Sequence, residues 1–483
     1  MHPVVLILLI IAVVCVFVLP RKYVVVALLL ITFLTPFGEQ IYIGGLHFFV
    51  PRILIICGLV RMARMRMGSQ GKLIAGGINS LDKRLTLWAI LTASATILQF
   101  LQTQAIVNQV AFLLDVVGGY YLLRFLIRDE EDIQRVVQTF SVIVCVLALT
   151  MCYEKFGHLN LFGFIGGRLS PFVRDGAIRS QGTFEGPIPA GTFAAPLMCL
   201  FAWLWWCGKS KVAGLAGMAG ATVMVVTSAS STPLLTYMAV VVGICMWPLR
   251  RRMRAIRWGI VILLVALHLT MKAPVWFLIN HVDLVAGNSG YHRAELIDTC
   301  VRHFKDWWLI GVSSTAKWGW DMWDQANQFV AAAENSGLAA FTCFVLMISA
   351  GFGRIGTARK RVAGNRNKEW LLWFLGAALF SHVVAFFGIS YGDQTTTSWY
   401  ALLAIISAAT VPILATKAVV EHHSDLTLAG SGLAYQTVPA SKPCPTALEP
   451  LHEQAPVSDH PTGNSVDTSA STVPTVHSKW PIR

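Results

Sequence analysis

Long apolar runs recur along the first 416 residues, and most approach or exceed the roughly 18 residues that mark a membrane-spanning helix. Apolar and polar positions do not alternate within these runs, as they would in the strands of a membrane barrel. The pattern therefore predicts an all-α, polytopic membrane protein with about 12–14 transmembrane helices. We place the spans at about 3–19, 23–36, 48–60, 85–101, 106–127, 136–152, 188–207, 212–228, 232–248, 258–272, 329–351, 370–390 and 397–416.

Three segments depart from this pattern. Residues 153–187 and 273–328 form two long connections, whereas most of the other predicted connections are short. Long loops in compact proteins are usually functional or disordered, and the many tryptophans of the second loop favour an ordered segment at the headgroup level. Residues 417–483 are rich in Pro, Ser and Thr and have little apolar content. We expect a membrane domain over residues 1–416, followed by a disordered tail.

Composition and charge agree with this class. Of the 483 residues, 55% are hydrophobic and 13% are charged, and the mean hydropathy is +0.61. The formal charge of +13 has a topological explanation, because Lys and Arg concentrate in alternate loops, including the segments "RMARMRM" and "RRRMR". By the positive-inside rule these loops are cytoplasmic. The N-terminus and both long loops are then extracytoplasmic and the tail is cytoplasmic, so we expect membrane lipids and no nucleic acid as partners.

The residue types that bind metals show no metal-binding pattern in the sequence. The ten cysteines contain no CxxC pair and lie mostly inside predicted spans, where they act as small apolar residues. His292 and His303 lie outside metal-ligand spacing. We therefore expect no metal site and no cofactor.

The second long loop contains an amphipathic helix, "GYHRAELIDTCVRHF". At 100° per residue, Arg293 shares a face with the apolar residues Leu296 and Cys300. Arg302 lies on the opposite face, where pairing with Asp298 at i,i+4 explains it. A guanidinium on an apolar face needs an anionic partner. That partner is either a group of the protein or an anionic substrate.

The first long loop ends in "RDGAIRSQGTFEGPIPAG", a segment rich in turns. It carries Arg179 shortly before the span that begins near residue 188. Backbone N–H groups in such turns can bind anions. Arg179 is therefore either an anion-binding residue or a solvated loop charge.

The segment "DQANQFVAAAENSGLAAF" opens an apolar span with polar residues. Drawn as one helix, its polar groups form a stripe about 120° wide. The stripe consists of Asp324, Asn327, Gln328, Glu334 and Asn335. Ionisable residues inside a membrane are functional candidates, whereas hydrogen bonding between helices is the structural alternative. Arginines bind phosphates in bidentate fashion, so a pyrophosphate on a lipid carrier fits this combination of groups.

The three quoted segments, in this order, resemble the O-antigen ligase-like family, which includes O-antigen ligases and Wzy-type polysaccharide polymerases. "RSQGTF" is similar to the family's R-x-x-G-T-F segment, and "YHRAELIDTCVRHFKDWWLIGV" is similar to its arginine helix with the glycine turn that follows. The resemblance covers roughly residues 80–415. It implies an inverting, metal-independent glycosyl transferase whose donor is an undecaprenyl-pyrophosphate-linked glycan.

The resemblance also implies roles for residues. Arg179 and Arg293 match the arginines that hold the pyrophosphate. Ligases have a histidine at the position of Ala326, where it assists the acceptor hydroxyl, so this departure favours a polymerase. From the residues themselves we infer that Glu334 or Asp324 is the catalytic base for that hydroxyl. The residues expected to contact the glycan are Asn327, Gln328, Tyr391 and Asp393.

Together these expectations describe a polymerase of the bacterial inner membrane that joins undecaprenyl-pyrophosphate-linked oligosaccharide units into surface polysaccharide. A chain-length regulator and a flippase of the same pathway are the expected protein partners. One alternative is a ligase that transfers glycan to a lipid or protein acceptor. The alternative from another class is a transporter or flippase for an anionic substrate, which usually has inverted repeats and a site at the membrane midplane.

Overall fold

The computed structural model describes residues 1–44, 46–67, 73–174, 176–282 and 289–432. Over these residues the chain is mainly helical, and a helical segment overlaps each of the thirteen predicted spans. Seven of the described helical segments are long and apolar enough to cross a membrane. The protein is therefore an all-α polytopic membrane protein, as its hydropathy pattern predicts.

The helices follow the predicted order. The first half of the chain contains α1 (Pro3–Val18), α2 (Arg21–Leu34), α3 (Val50–Met67), α4 (Ser80–Phe100), α5 (Thr103–Leu113), α6 (Gly119–Leu126) and α7 (Glu130–Gly157). A π-helical turn, Leu114–Gly118, joins α5 to α6 in one span. The second half contains α8 (Pro187–Cys207), α9 (Lys211–Ser228), α10 (Ser231–Cys245), α11 (Met253–Thr270), α12 (Ser289–Arg302), α13 (Phe304–Trp307), α14 (Gln328–Arg361), α15 (Arg366–Ala385) and α16 (Thr395–Gly432).

The described strands form two antiparallel hairpins. Strands β1 (Gln40–Ile43) and β2 (Leu46–Phe49) join α2 to α3. Strands β3 (Phe172–Arg174) and β4 (Ala177–Arg179) lie in the first long loop, where Phe172 pairs with Arg179. The second long loop contains a 3₁₀ segment, Val275–Val282, followed by α12 and α13.

Side-chain caps fix where several helices begin. Asn79 and Asp82 form a capping box at the start of α4, in which each side chain accepts from the other residue's backbone N–H. Asp82 also accepts from the Tyr120 hydroxyl at 2.5 Å and from Arg124 Nε at 3.2 Å. All of these partners belong to the protein, so this buried ion pair has a structural explanation.

Helix α8 lies at the centre of the packing, against α7, α9, α10 and α15. Its approach to α9 is close because α9 carries glycines on the facing side. A Cβ atom on Gly217 would lie 2.7 Å from the ring of Phe201. Small residues allow such close contact between membrane helices. Around the first turns of α8, Phe33, Phe184 and Phe193 form an aromatic cluster beside the first long loop.

Helix α14 is broken near its start. Gly337 has a φ of 78° and a ψ of 176°, which interrupts the helix. Residues 308–312 of the second long loop dock at the break, where Val312 N donates to Glu334 O at 2.7 Å and Leu338 N donates to Trp308 O at 2.9 Å. These bonds satisfy backbone groups that the break releases, which a membrane segment requires.

The end of the chain differs in part from the expected arrangement. Helix α16 continues to Gly432, whereas the last span was expected to end near residue 416. Residues 433–483 of the expected tail lie outside the described residues. By its internal contacts the chain divides into Met1–Ser424 and Asp425–Arg483. All features described below belong to the first of these units.

Candidate functional site

Arg179 lies at the end of β4, against the connection between α9 and α10. Its Nη2 donates to the Ser230 hydroxyl at 2.5 Å, and its Nε lies 3.5 Å from the Ser228 carbonyl oxygen. The next residue fixes the strand to the end of α9, because Ser180 N donates to Thr227 O at 3.1 Å. These contacts hold the Arg179 side chain against the connection between α9 and α10.

Arg293 reaches the same connection from the second long loop. Its Nη2 donates to the Thr232 hydroxyl at 2.9 Å, and that hydroxyl donates to the Gly388 carbonyl at 3.2 Å. Ser230 is the residue before α10, and Thr232 lies in the first turn of that helix. Arg179 and Arg293 thus contact the same short segment, and their role in holding a pyrophosphate stays a prediction.

The start of α10 adds to the positive character of this junction. The N-terminus of a helix carries partial positive charge, which favours anions. Ser230 is the N-cap residue, yet its side chain forms no capping hydrogen bond to the helix. Both arginines also make further contacts within the protein. We call the group of Arg179, Arg293, Ser230 and Thr232 the arginine site.

The segment "SQGTF" holds the loop that carries Arg179. The carboxylate of Glu154 accepts hydrogen bonds from the backbone N–H groups of Gln181 and Gly182, the latter at 2.9 Å. Gly182 has a φ of 61°, a conformation that favours glycine. The Thr183 hydroxyl donates to Phe33 O at 2.8 Å. The glycine and threonine of the motif therefore shape the loop, while its arginine faces the α9–α10 connection.

The polar stripe expected on α14 is divided at the point where the helix begins. Asn327 caps the helix, since its Oδ1 accepts from Phe329 N and Val330 N, so Asp324 precedes the helix. Glu334 has a side chain beside Cys300 of α12 and is only 2% exposed. Burial raises the pKa of the Cys300 thiol to about 12. The expected stripe therefore faces several different surroundings.

Asp324 lies beside His292 of α12. Its Oδ2 is 3.3 Å from His292 Nε2, and the Asp324 side chain is 42% exposed. His292 precedes Arg293 on α12, so this pair lies next to the arginine site in the chain. Of the two predicted catalytic carboxylates, Asp324 is the one that a substrate in solution can reach.

His292, Asp321 and Asp324 also form the one group of possible metal ligands found among the described residues. Their ligand atoms lie within 4.8 Å of one another. Such a group can hold a cation, although the contact between His292 and Asp324 also explains the short distances. The sequence showed no sign of it because His292 lies far from the two aspartates in the chain. The absence of a metal site stays a prediction.

Gln328, Tyr391 and Asp393 meet on the other side of the segment 386–394. Tyr391 N donates to Gln328 Oε1 at 2.7 Å, and the Tyr391 hydroxyl lies 2.7 Å from Nδ1 of His382. Asp393 Oδ1 accepts from the backbone and the hydroxyl of Thr395, which caps α16. These contacts give each of the three side chains a structural role, whether or not a glycan also binds there.

The second carboxylate oxygen of Asp393 has a different environment. Asp393 is 6% exposed, and its Oδ2 has no hydrogen-bond partner among the described residues. The backbone N–H of Glu185 lies near the carboxylate without meeting the geometry of a hydrogen bond. Burial raises the pKa of Asp393 to about 6, while the hydrogen bonds from Thr395 oppose the shift. Buried polar atoms without partners are uncommon in proteins.

A cavity of about 540 Å³ opens beside these residues. It lies between α2, α3, α4, the π-helical turn, α14 and the start of α16, and we call it the α14 cavity. Arg52 and Asp115 form a bidentate ion pair at its wall, with Nε to Oδ1 at 2.9 Å. Gln325 and Asn335 exchange two amide hydrogen bonds of 2.8 and 2.9 Å. Gln328, Tyr391 and Asp393 also line the cavity.

Several of these residues were missed by sequence reasoning. Ser230 and Thr232 belong to "SASST", which reads as a simple connection between two spans. Asp115 lies inside a predicted span, and an ionisable residue at such a position was an available signal. A scan against models of known protein families gave no match. A search of curated proteins also gave no match.

Proposed function

We propose that the protein is a polymerase of the bacterial inner membrane that joins undecaprenyl-pyrophosphate-linked repeat units into a surface polysaccharide. The observation that carries the proposal is the arginine site. Two guanidinium groups from two separate loops meet at the start of one helix, next to span ends and not within a span. This arrangement suits a pyrophosphate whose lipid chain lies in the membrane and whose glycan lies outside it.

The chemistry needs negative charge to be stabilised as the donor bond breaks. The acceptor hydroxyl attacks the anomeric carbon of the donor sugar, and the bond from that carbon to the pyrophosphate oxygen breaks with its electron pair. Arg179, Arg293 and the helix N-terminus stabilise the charge that develops on the leaving pyrophosphate. A carboxylate takes the proton of the hydroxyl, and the exposure of Asp324 favours it over Glu334 for this role.

The ligase alternative has one observation in its favour. The sequence has Ala326 where ligases have their histidine, but His292 lies 3.3 Å from Asp324. The imidazole of His292 on α12 is therefore available near the arginine site, in place of a histidine at position 326. The transporter alternative is less well supported, because the arginine site lies at the ends of α9 and α10, whereas transporter sites usually lie near the midplane.

The test is the glycan profile of a strain that lacks the protein. Lipid-linked glycans and surface polysaccharide are extracted and sized separately, and the strain is complemented with the wild-type chain. Single repeat units on the lipid carrier, with loss of long polymer, support the polymerase. Long polymer retained on the carrier, with loss only of the final conjugate, identifies a ligase. Unchanged glycans contradict both glycosyl-transfer activities.

A further inference from the structure

The charged side chains that line the α14 cavity are Arg52, Asp115, Glu39 and Asp393, so the lining carries no excess of positive charge. Arg52 is neutralised by Asp115 through contacts of 2.5–3.1 Å. Gln325 and Asn335 present planar amide groups that both donate and accept hydrogen bonds. The hydroxyls of sugars also donate and accept. A neutral carbohydrate therefore matches this lining better than a pyrophosphate does.

The position of Asp115 is a second indication of a binding site. It lies in the π-helical turn Leu114–Gly118, inside a segment that is long and apolar enough to span the membrane. Single π-helical turns within helices occur frequently at functional sites. Charged residues within spans usually face a cavity or each other, and mark substrate paths. Asp115 and Arg52 pair with each other and also line the cavity.

A third indication comes from Asp393 at the cavity wall. Its Oδ2 is buried and has no hydrogen-bond partner in the described part of the chain, whereas Oδ1 is used by the helix cap. An acceptor atom in such a place is satisfied when a hydroxyl group donates to it. Trp88, Tyr391 and Tyr400 supply aromatic surface to the same cavity.

The cavity and the arginine site lie on either side of one segment, residues 386–394. Gly388 accepts from Thr232 of the arginine site, whereas Tyr391 and Asp393 line the cavity. Neither Arg179 nor Arg293 is among the cavity-lining residues. A polymerase needs two such neighbouring sites, because a donor and an acceptor glycan must meet.

We propose that the α14 cavity binds an uncharged sugar of the acceptor glycan, while the arginine site binds the pyrophosphate of the donor. This inference rests on the proposed glycosyl-transfer function and divides its two substrates between two sites. Gln325, Asn335 and Asp393 are the side chains that bond the sugar hydroxyls. The ion pair of Arg52 and Asp115 shapes the wall.

Gly392 provides a variant that tests the cavity directly. It lines the cavity, and a Cβ atom at this position would meet nothing within 4 Å. Gly392→Phe therefore places a large group in open space at the cavity with little strain. Gly353→Phe is the matched control, because Gly353 of α14 also has open space around it and does not line the cavity. Asn335→Ala is a second, smaller change at an exposed cavity residue.

The measurement uses the full chain in lipid nanodiscs with two separate probes. One is the neutral oligosaccharide released from the host's lipid-linked glycan, and the other is inorganic pyrophosphate. Gly392→Phe and Asn335→Ala should weaken oligosaccharide binding by about tenfold or more and leave pyrophosphate binding unchanged. Arg293→Ala should show the opposite pattern, and Gly353→Phe should change neither. Unchanged oligosaccharide binding in both cavity variants would overturn the proposal.

Polymer formation from lipid-linked units separates this proposal from the polymerase itself. Wild-type protein that binds the oligosaccharide but forms no polymer leaves the cavity site standing and contradicts the polymerase. If the wild-type protein and the Gly392→Phe variant form polymer at equal rates, the polymerase is supported. The proposed role of the cavity is then contradicted. Loss of polymer in Gly392→Phe with intact pyrophosphate binding supports both.

Discussion

Arg293 donates to the Thr232 hydroxyl at 2.9 Å, and this hydroxyl holds a second bond to the Gly388 carbonyl. One threonine therefore connects the second long loop, the first turn of α10 and the segment before α16. The hydroxyl of Thr232 helps to orient the Arg293 guanidinium, although in the sequence Thr232 is simply the first residue of a predicted span.

Thr232→Val should weaken function without disturbing the fold. The change keeps the shape of the side chain but removes the hydroxyl that accepts from Arg293. Since a hydrogen bond to a charged group contributes about 1.5–3 kcal/mol, pyrophosphate affinity should fall by roughly tenfold or more. Thr236→Val is the control, because that hydroxyl donates to the carbonyl of Thr232 within the same helix and is not part of the arginine site. Equal affinities of the two variants would contradict this role.

Arg179→Ala and Arg293→Ala should each reduce polymer formation by about 100-fold, the usual cost of losing a group that stabilises transition-state charge. Arg302→Ala is the matched control on α12, since Arg302 pairs with Asp298 at 2.7 Å on the exposed face. Polymer length is measured in a complemented deletion strain, with membrane insertion checked by immunoblotting. Near-wild-type polymer in Arg293→Ala would remove the pyrophosphate role.

Asp324→Asn should lower the rate constant for polymer formation by about 100-fold or more while pyrophosphate affinity stays unchanged. Glu334→Gln should have a much smaller effect, because Glu334 is 2% exposed and lies against Cys300. Single-turnover kinetics with a lipid-linked donor distinguish the two. The reverse order of effects would transfer the role of base to Glu334 and imply that α12 moves during the reaction.

Asp393→Asn should stabilise the protein at high pH only. Burial raises the pKa of Asp393 from 3.8 to about 6, and the nearby charge of Glu185 acts in the same direction. The stability that this carboxyl contributes is complete below pH 3.8 and is lost as pH rises through 6. Asparagine keeps the cap of α16 without a charge.

The unfolding temperature of Asp393→Asn in nanodiscs should therefore exceed that of the wild type by roughly 2 °C or more at pH 8, and match it at pH 4. Tyr391 is the other titratable group facing this carboxyl, and its own pKa is raised by burial, so it stays neutral at both pH values. Asp306→Asn, at an exposed position of the second long loop, should show no such difference. A shift of equal size at both pH values would rule out the charge as its cause.

Chelation by EDTA should leave polymer formation unchanged, since the proposed mechanism stabilises charge with arginines. The experiment also tests the group formed by His292, Asp321 and Asp324, whose ligand atoms lie within 4.8 Å. Loss of activity that Mg²⁺ or Mn²⁺ restores would assign a metal to this group. Asp321→Asn would then reproduce the loss, whereas under the metal-free mechanism it should have little effect.

Much of the fold could be predicted because span length and hydropathy are local properties. Each predicted span coincides with a helical segment, and the pairing of Arg302 with Asp298 was also predicted from helix geometry. Arg293 was identified because it departs from its local pattern, and Arg179 because of its turn-rich segment and the resemblance that this segment carries. Both arginines contact the start of α10. This proximity depends on the tertiary structure, so helical periodicity could not predict it.

The polar start of α14 shows where local reasoning failed. The sequence interpretation assumed one regular helix from Asp324 to Glu334. In the structure Asn327 is the N-cap, so the helix begins only at Gln328, and Gly337 interrupts it a few residues later. The hydroxyls at Ser230 and Thr232 were missed for another reason. Serine and threonine are common in any short connection, so their role becomes clear only when the arginines are seen beside them.

The break in α14 joins two glycines that lie far apart in the chain. A Cβ atom on Gly311 would lie 2.4 Å from Glu334 O, and one on Gly337 would lie 2.6 Å from Leu309 O. Both residues also have positive φ angles. Homologous chains should therefore keep or lose these two glycines together, as a correlated pair in a sequence alignment. Epitope tags for topology mapping should be tolerated at the exposed residues 313 and 314, but not between 308 and 312.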